Sequence, residues 1–92
     1  MKSILQEDER CYLCKMAIAT QCHHCFPGNP NRKHSEQDGL TVRLCAQCHW
    51  KVHFDSQDDG RSMLKLKKDA QEAYEKTHTR EEFMKRYGRS WL

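Results

Sequence analysis

The stretch Cys22-His23-His24-Cys25 sets two imidazoles between two thiols, and the same side chains recur at Cys11/Cys14, at Cys45/Cys48 and at His49 and His53. Thiolates and imidazoles are the usual ligands of zinc and related metals. Six cysteines in three C-x2-C pairs would also suit disulfides, but six histidines accompany them, three directly beside a cysteine. Residues 1–10, MKSILQEDER, lack the apolar stretch of a secretory signal, so a cytoplasmic location is expected, where paired C-x2-C units read as metal ligands. Two knuckles around one Zn2+ make a closed tetrahedral site with no open position, a structural site whose occupancy is coupled to folding. Cys11, Cys14, Cys45 and Cys48 are the expected set, although spacing alone leaves open which four of the six take part. Cys22 and Cys25 are then either small buried hydrophobes behind a strand or the replacement of a knuckle cysteine.

The histidines suggest different chemistry. His49 and His53 are four apart, so on a helix they share a face and reach one ion. His23 and His24 are adjacent, and in a strand adjacent side chains point to opposite faces. One can therefore bind a metal while the other stands beside it. His23, His49 and His53 would give three neutral ligands and leave room for water or a phosphate oxygen, as a catalytic ion requires. His24 would be a free base next to that ion, and an imidazole titrating near ~6.5 is suited to taking a proton from water at neutral pH.

Elements must place these side chains. With 92 residues, 37% of them hydrophobic, the chain has enough for one small domain whose core needs a metal staple. No apolar run approaches the roughly 20 residues of a membrane span. Residues 1–10 read as a flexible leader. Residues 11–58 hold the knuckles, with an extended segment over 17–24, a long polar loop in FPGNPNRKHSEQDG, a strand over Leu40–Leu44 and a helix opening in CAQCHWKVHF. Residues 61–92 form a helical extension. In its first helix Ser62 is the expected cap and Met63, Leu66, Ala70 and Ala73 the apolar stripe, widened by Leu64 and Tyr74. Thr79 and Glu82 form a capping box, Phe83 and Tyr87 share a face, Gly88 is the C-cap, and Trp91 and Leu92 tuck back. The extension is also the basic part, with nine Lys/Arg against five Asp/Glu, whereas residues 1–60 carry seven against eight. That excess is compatible with nucleic acid and equally with a solvated helix face.

A C-x2-C knuckle, a strand ending in His-His, a loop, then a strand running into C-x2-C-H and a helix resembles the HNH endonucleases, over Cys11 to Phe54. HH with H-x3-H is similar to the colicin-type version. GLTVRLCAQCHWKVHF is more similar still to the small prophage members and the phage recombination-enhancing nuclease. The resemblance implies a small α+β, zinc-stapled domain with a ββα-metal (His-Me finger) core and two C-terminal helices. It implies a phosphodiester hydrolase of phage or prophage origin that cuts DNA, leaving 5'-phosphate and 3'-hydroxyl ends. By the same resemblance His24 is the general base, and His23, His49 and His53 hold a catalytic Mg2+, Mn2+, Ni2+ or Zn2+. Cys11, Cys14, Cys45 and Cys48 hold structural Zn2+. The family's Asn, which orients the base, is replaced by Leu40, and Asn31 is the expected substitute, ahead of Asn29 and the acidic Asp38.

Arg32, Lys33, Arg43 and Lys51 lie near the expected site in sequence and are the candidate DNA contacts. Lys65, Lys67, Lys68, Lys85, Arg86 and Arg89 could follow phosphates from the extension. No base-reading module is visible, so low sequence specificity is expected, and neither a membrane nor a small-molecule cofactor is. The alternative is a non-catalytic zinc module that binds nucleic acid or protein, with the cysteines and some histidines in two closed sites. A disulfide-rich secreted protein is a third class. Thiol titration after chelation excludes that class by finding all six thiols reactive.

Overall fold

The fold comes from a computed structural model that describes residues 3–6, 9–16 and 21–92. Of the expected first extended segment, residues 17–20 lie outside the described residues; the rest is strand β1, Gln21–His24. It pairs antiparallel with β2, Thr41–Leu44, in the register Gln21↔Leu44, Cys22↔Arg43, His23↔Val42 and His24↔Thr41. β2 begins one residue later than expected, and Leu40 is fully buried at its entrance. Among the described residues the architecture is a two-stranded sheet with four helices, an α+β arrangement.

The segment between the strands is not a loop throughout. Helix α1 spans Asn31–Asp38. Its polar composition has no apolar stripe, which hides it in the sequence, yet Arg, Lys, Glu and Gln are good helix formers. Gly39, at φ 74°, closes it in the left-handed conformation that a C-terminal glycine adopts easily. Tertiary contacts hold α1 in place of amphipathicity. The buried Ser35 hydroxyl accepts from the Phe26 amide and donates to the Phe26 carbonyl, both at 3.3 Å. Asp38 accepts from Arg86 Nε and from the Tyr87 hydroxyl, each at 2.6 Å.

Helix α2, Ala46–Phe54, starts at the third cysteine pair, Cys45/Cys48, as expected. Helix α3, Arg61–Tyr74, buries Leu66, Ala70, Gln71 and Tyr74, while Leu64 is left exposed. Its first turn is satisfied by Asp58, which accepts from the Ser62 amide and hydroxyl; Ser62 is therefore the donor and not the cap. A carboxylate has two acceptor oxygens, and here each takes one of these hydrogens. Helix α4, Arg80–Tyr87, carries the expected capping box, with Glu82 N donating to Thr79 Oγ1 at 3.1 Å and Thr79 N to Glu82 Oε1 at 3.0 Å. Gly88 ends it in the left-handed conformation.

The core lies between the sheet and α3 and α4. Phe26, immediately past β1, packs its ring against Tyr87, Trp91 and Phe83 at centroid distances of 4.7, 4.9 and 5.4 Å. Buried Gln71 anchors the C-terminal residues, accepting from the Trp91 amide at 2.7 Å and donating to Ser90 Oγ at 2.9 Å. Leu92 remains exposed. The described part of the leader bonds to residues of β2 and the turn before it. Ile4 N donates to Gly39 O at 2.9 Å, and Ser3 and Gln6 bond to the backbone of Thr41 and Arg43. A free strand edge presents unpaired amides and carbonyls, and the leader fills them. Among the described residues no helix is long and apolar enough to cross a membrane. Phe83→Ala empties a fully buried site and should lower stability by about 3–5 kcal/mol. Phe54→Ala, at 72% exposure, should stay within about 0.5 kcal/mol, as read from urea midpoints.

Candidate metal centres

Among the described residues two side-chain clusters gather metal-ligating atoms within 4.8 Å of one another: Cys11, Cys14, Cys45 and Cys48, and separately His23, His49 and His53. All six cysteines are free thiols, and of the three pairs it is the first and third that meet. The cysteine cluster could hold a metal ion such as zinc. The first knuckle is lashed to β2 by Tyr12 N donating to Arg43 O at 2.8 Å, and Cys45 sits at the end of β2 and the start of α2. Cys14 Sγ and Cys45 Sγ are 3.9 Å apart. Two sulfurs on one tetrahedral zinc, each bound at ~2.3 Å, would lie about 3.8 Å apart. Burial pushes the Cys11 thiol up, but the Cys14, Cys45 and Leu13 backbone amides and the Cys48 thiol hold it lower, at about 6. The lowering favours the thiolate, the form a metal takes. The Cys48 thiol is raised, by burial and by its bonds to Cys11, Cys45 and Cys14.

Cys22 and Cys25 part company. Cys25 is fully buried, and burial beside Asp69 pushes its thiol up to about 12, an inert packing residue. Cys22 is exposed, opposite the exposed Arg43 in the register, so the reading of both as buried hydrophobes fails for Cys22. Strand alternation turns it to the face that His23 leaves.

The histidine cluster lines a cleft of about 340 Å³ with His24, Cys22, Pro27, Gly28 and Arg32. β1 supplies His23 and His24, and α2 supplies His49 and His53, one turn apart. His49 Nε2 and His53 Nε2 are 3.2 Å apart. Two nitrogens bound to one tetrahedral ion at ~2.0–2.1 Å would be about 3.3 Å apart. His49 Nδ1 meets Gln21 Oε1. An amide oxygen only accepts, so the proton sits on Nδ1 and the lone pair on Nε2 points at His53. His23 is 3% exposed and, among the described residues, its Nε2 is buried with no hydrogen-bond partner. A buried orphan nitrogen is costly unless something binds it, and the donor set fits a divalent ion. Burial, then the charges of His53, His49 and His24, lower His23 to about 4, and Lys67 acts in the same direction. Burial and His53 also lower His49.

The remaining expected residues divide. Arg32 lines the cleft. Lys33 is exposed beside it in sequence on α1, and Arg43 is exposed on β2. Lys51 is exposed on α2, and its charge acts on Asp58. Asn31 is not in the cleft lining; its amide donates to Tyr87 O at 3.4 Å. As the first residue of α1 it is carried to the α4 side, because the helix replaces the loop that was to deliver it. The polar group standing by His24 is Glu36, its Oε2 3.8 Å from His24 Nε2. Glu36 was invisible without α1. Gln21 had a signal, since two residues before His23 it shares that strand face.

The chain matches no family model, no curated protein and no solved structure. Unfolded His23 takes a proton as pH falls through about 6.5, while the folded residue holds off until about 4. Metal-free protein should therefore lose stability as pH falls between those values and keep this contribution above them. His23→Leu should flatten that part of a plot of urea midpoint against pH.

Proposed function

We propose that this chain is a metal-dependent endonuclease of the HNH type, which hydrolyses DNA phosphodiester bonds in the histidine cleft. The observation that carries this reading is the buried, partnerless Nε2 of His23 grouped with the His49 and His53 nitrogens, with His24 beside it lining the same cleft. The resemblance to the ββα-metal nucleases implies strand, strand, helix around those histidines; here the order is β1, α1, β2, α2, with the histidines on β1 and α2, and that placement supports the reading.

In this reading His23, His49 and His53 hold Mg2+, Mn2+, Ni2+ or Zn2+, and the four cysteines hold structural zinc. The divalent ion, when bound, stabilises the negative charge that builds on the phosphate oxygens. His24 takes the proton from the attacking water, and Gln21 keeps His49 in the tautomer that presents Nε2. Arg32, on the cleft wall, neutralises a phosphate and positions the backbone without reading sequence. Lys33 and Arg43 are further backbone contacts. Asn31 has no part, its amide being engaged with Tyr87. Low sequence specificity and a phage or prophage origin accompany the reading.

A plasmid-nicking assay with each divalent ion tests it. His24→Ala should lower the nicking rate by about 10²–10⁴-fold with zinc content and circular dichroism unchanged. Two tightly held zinc ions and no nicking in any metal would make the chain a non-catalytic zinc module and end the proposal.

A further inference from the structure

Trp50 and Phe54 are 56% and 72% exposed, four residues apart on α2, with ring centroids 6.4 Å apart and planes tilted by 40°. Around α2, Val52 faces the core and His49 and His53 line the cleft. Trp50 is three residues from His53, which on a helix is about 60° of rotation, so the aromatic strip begins at the rim of the cleft. The Phe54 ring is itself 6.0 Å from the His53 ring. The chain's own C-terminal aromatic, Trp91, packs on Phe26 and leaves these two rings open.

Size and charge select the occupant. Two aromatic side chains present at most ~150–250 Å² each, well below the ~800 Å² a stable protein partner or second copy would cover. The cleft lining carries Arg32 and four imidazoles, with the Glu36 carboxylate 3.8 Å from His24 Nε2 at its margin; Arg32 on the wall, and the charge of Lys67 that reaches His23, favour an anionic backbone there. Flat rings beside a phosphate groove are the means by which proteins hold unpaired bases, because every base has a face to stack while the bases inside a duplex already cover theirs.

We propose that Trp50 and Phe54 form a stacking platform for an unpaired nucleobase next to the phosphate in the histidine cleft, so that the preferred ligand is single-stranded DNA or an unpaired segment. This rests on the proposed reading of the cleft as a phosphate site. The strand crosses from Arg32 over the histidines and lays its next base on Trp50, and no base identity is read.

The test is fluorescence anisotropy of a labelled 20-nucleotide oligo-dT and of a 20-base-pair duplex at one salt concentration, using zinc-loaded protein without added divalent ion. Trp50→Ala and Phe54→Ala are compared with wild type. Each should weaken oligo-dT binding by about 5- to 150-fold, the factor to which stacking of one base amounts, and leave duplex binding unchanged. Wild-type oligo-dT affinity in both variants overturns the proposal. So does a loss of self-association in sedimentation with binding unaltered, which would make the strip a contact between copies. The two readings fail separately. Weakened oligo-dT binding without nicking in any metal removes the nuclease and keeps the platform. His24-dependent nicking with unaltered oligo-dT binding removes the platform alone.

Discussion

The junction at Cys45 governs the molecule. β2 ends at Leu44, Cys45 caps the start of α2, and its sulfur belongs to the cluster that also draws in Cys11 and Cys14 from the beginning of the chain. A helix of nine residues is marginal by itself. Cys45 and Cys48 at its start belong to the cluster of four sulfurs that could hold one metal ion, and an ion bound there would fix the helix's direction relative to the sheet. With its start anchored and Val52 buried, α2 turns His49 and His53 toward His23 on β1. A metal ion on the cysteines would in this way also support the histidine cluster.

Burial and mutual repulsion then shape the chemistry of the cleft. Burial and the charge of His53 disfavour protonation of His49, and at His23 desolvation does so most strongly, with the charges of His53, His49 and His24 added. Its lone pair therefore stays available at neutral pH. The same burial has the opposite use at Cys25, where it pushes the thiol up to about 12 and leaves it unreactive. The two residues lie two positions apart in sequence.

The C-terminal helices look from their charge like an arm for nucleic acid, but many of their basic groups are engaged within the molecule. Arg86 is tied to Asp38, Lys65 to Asp69 and Arg80 to Glu75, while Lys67 and Arg89 lie over the Trp91 ring. The ring cluster of Phe26, Phe83, Tyr87 and Trp91 holds the chain where it leaves β1, and the clamp on Asp38 holds α1, the helix that carries Arg32.

Much was legible in the residues because it is local. Ligand type and spacing picked out side chains able to ligate a metal, alternation and i,i+4 spacing grouped His23, His49 and His53, which the structure brings together, and the Thr79–Glu82 box and Gly88 located α4. These depend on neighbours within a turn or a strand, and such periodicities are written in the chain itself. What was not legible depends on distant partners. α1 has no apolar stripe and exists through Ser35, Asp38 and their contacts with Phe26, Arg86 and Tyr87, so the sequence read it as loop. That one helix turned Asn31 away from the cleft and brought Glu36 beside His24. The choice among six cysteines was likewise a matter of which pairs meet across thirty residues, and Cys22 and Cys25, alike in sequence, separated only when β1 acquired a buried side and an exposed one.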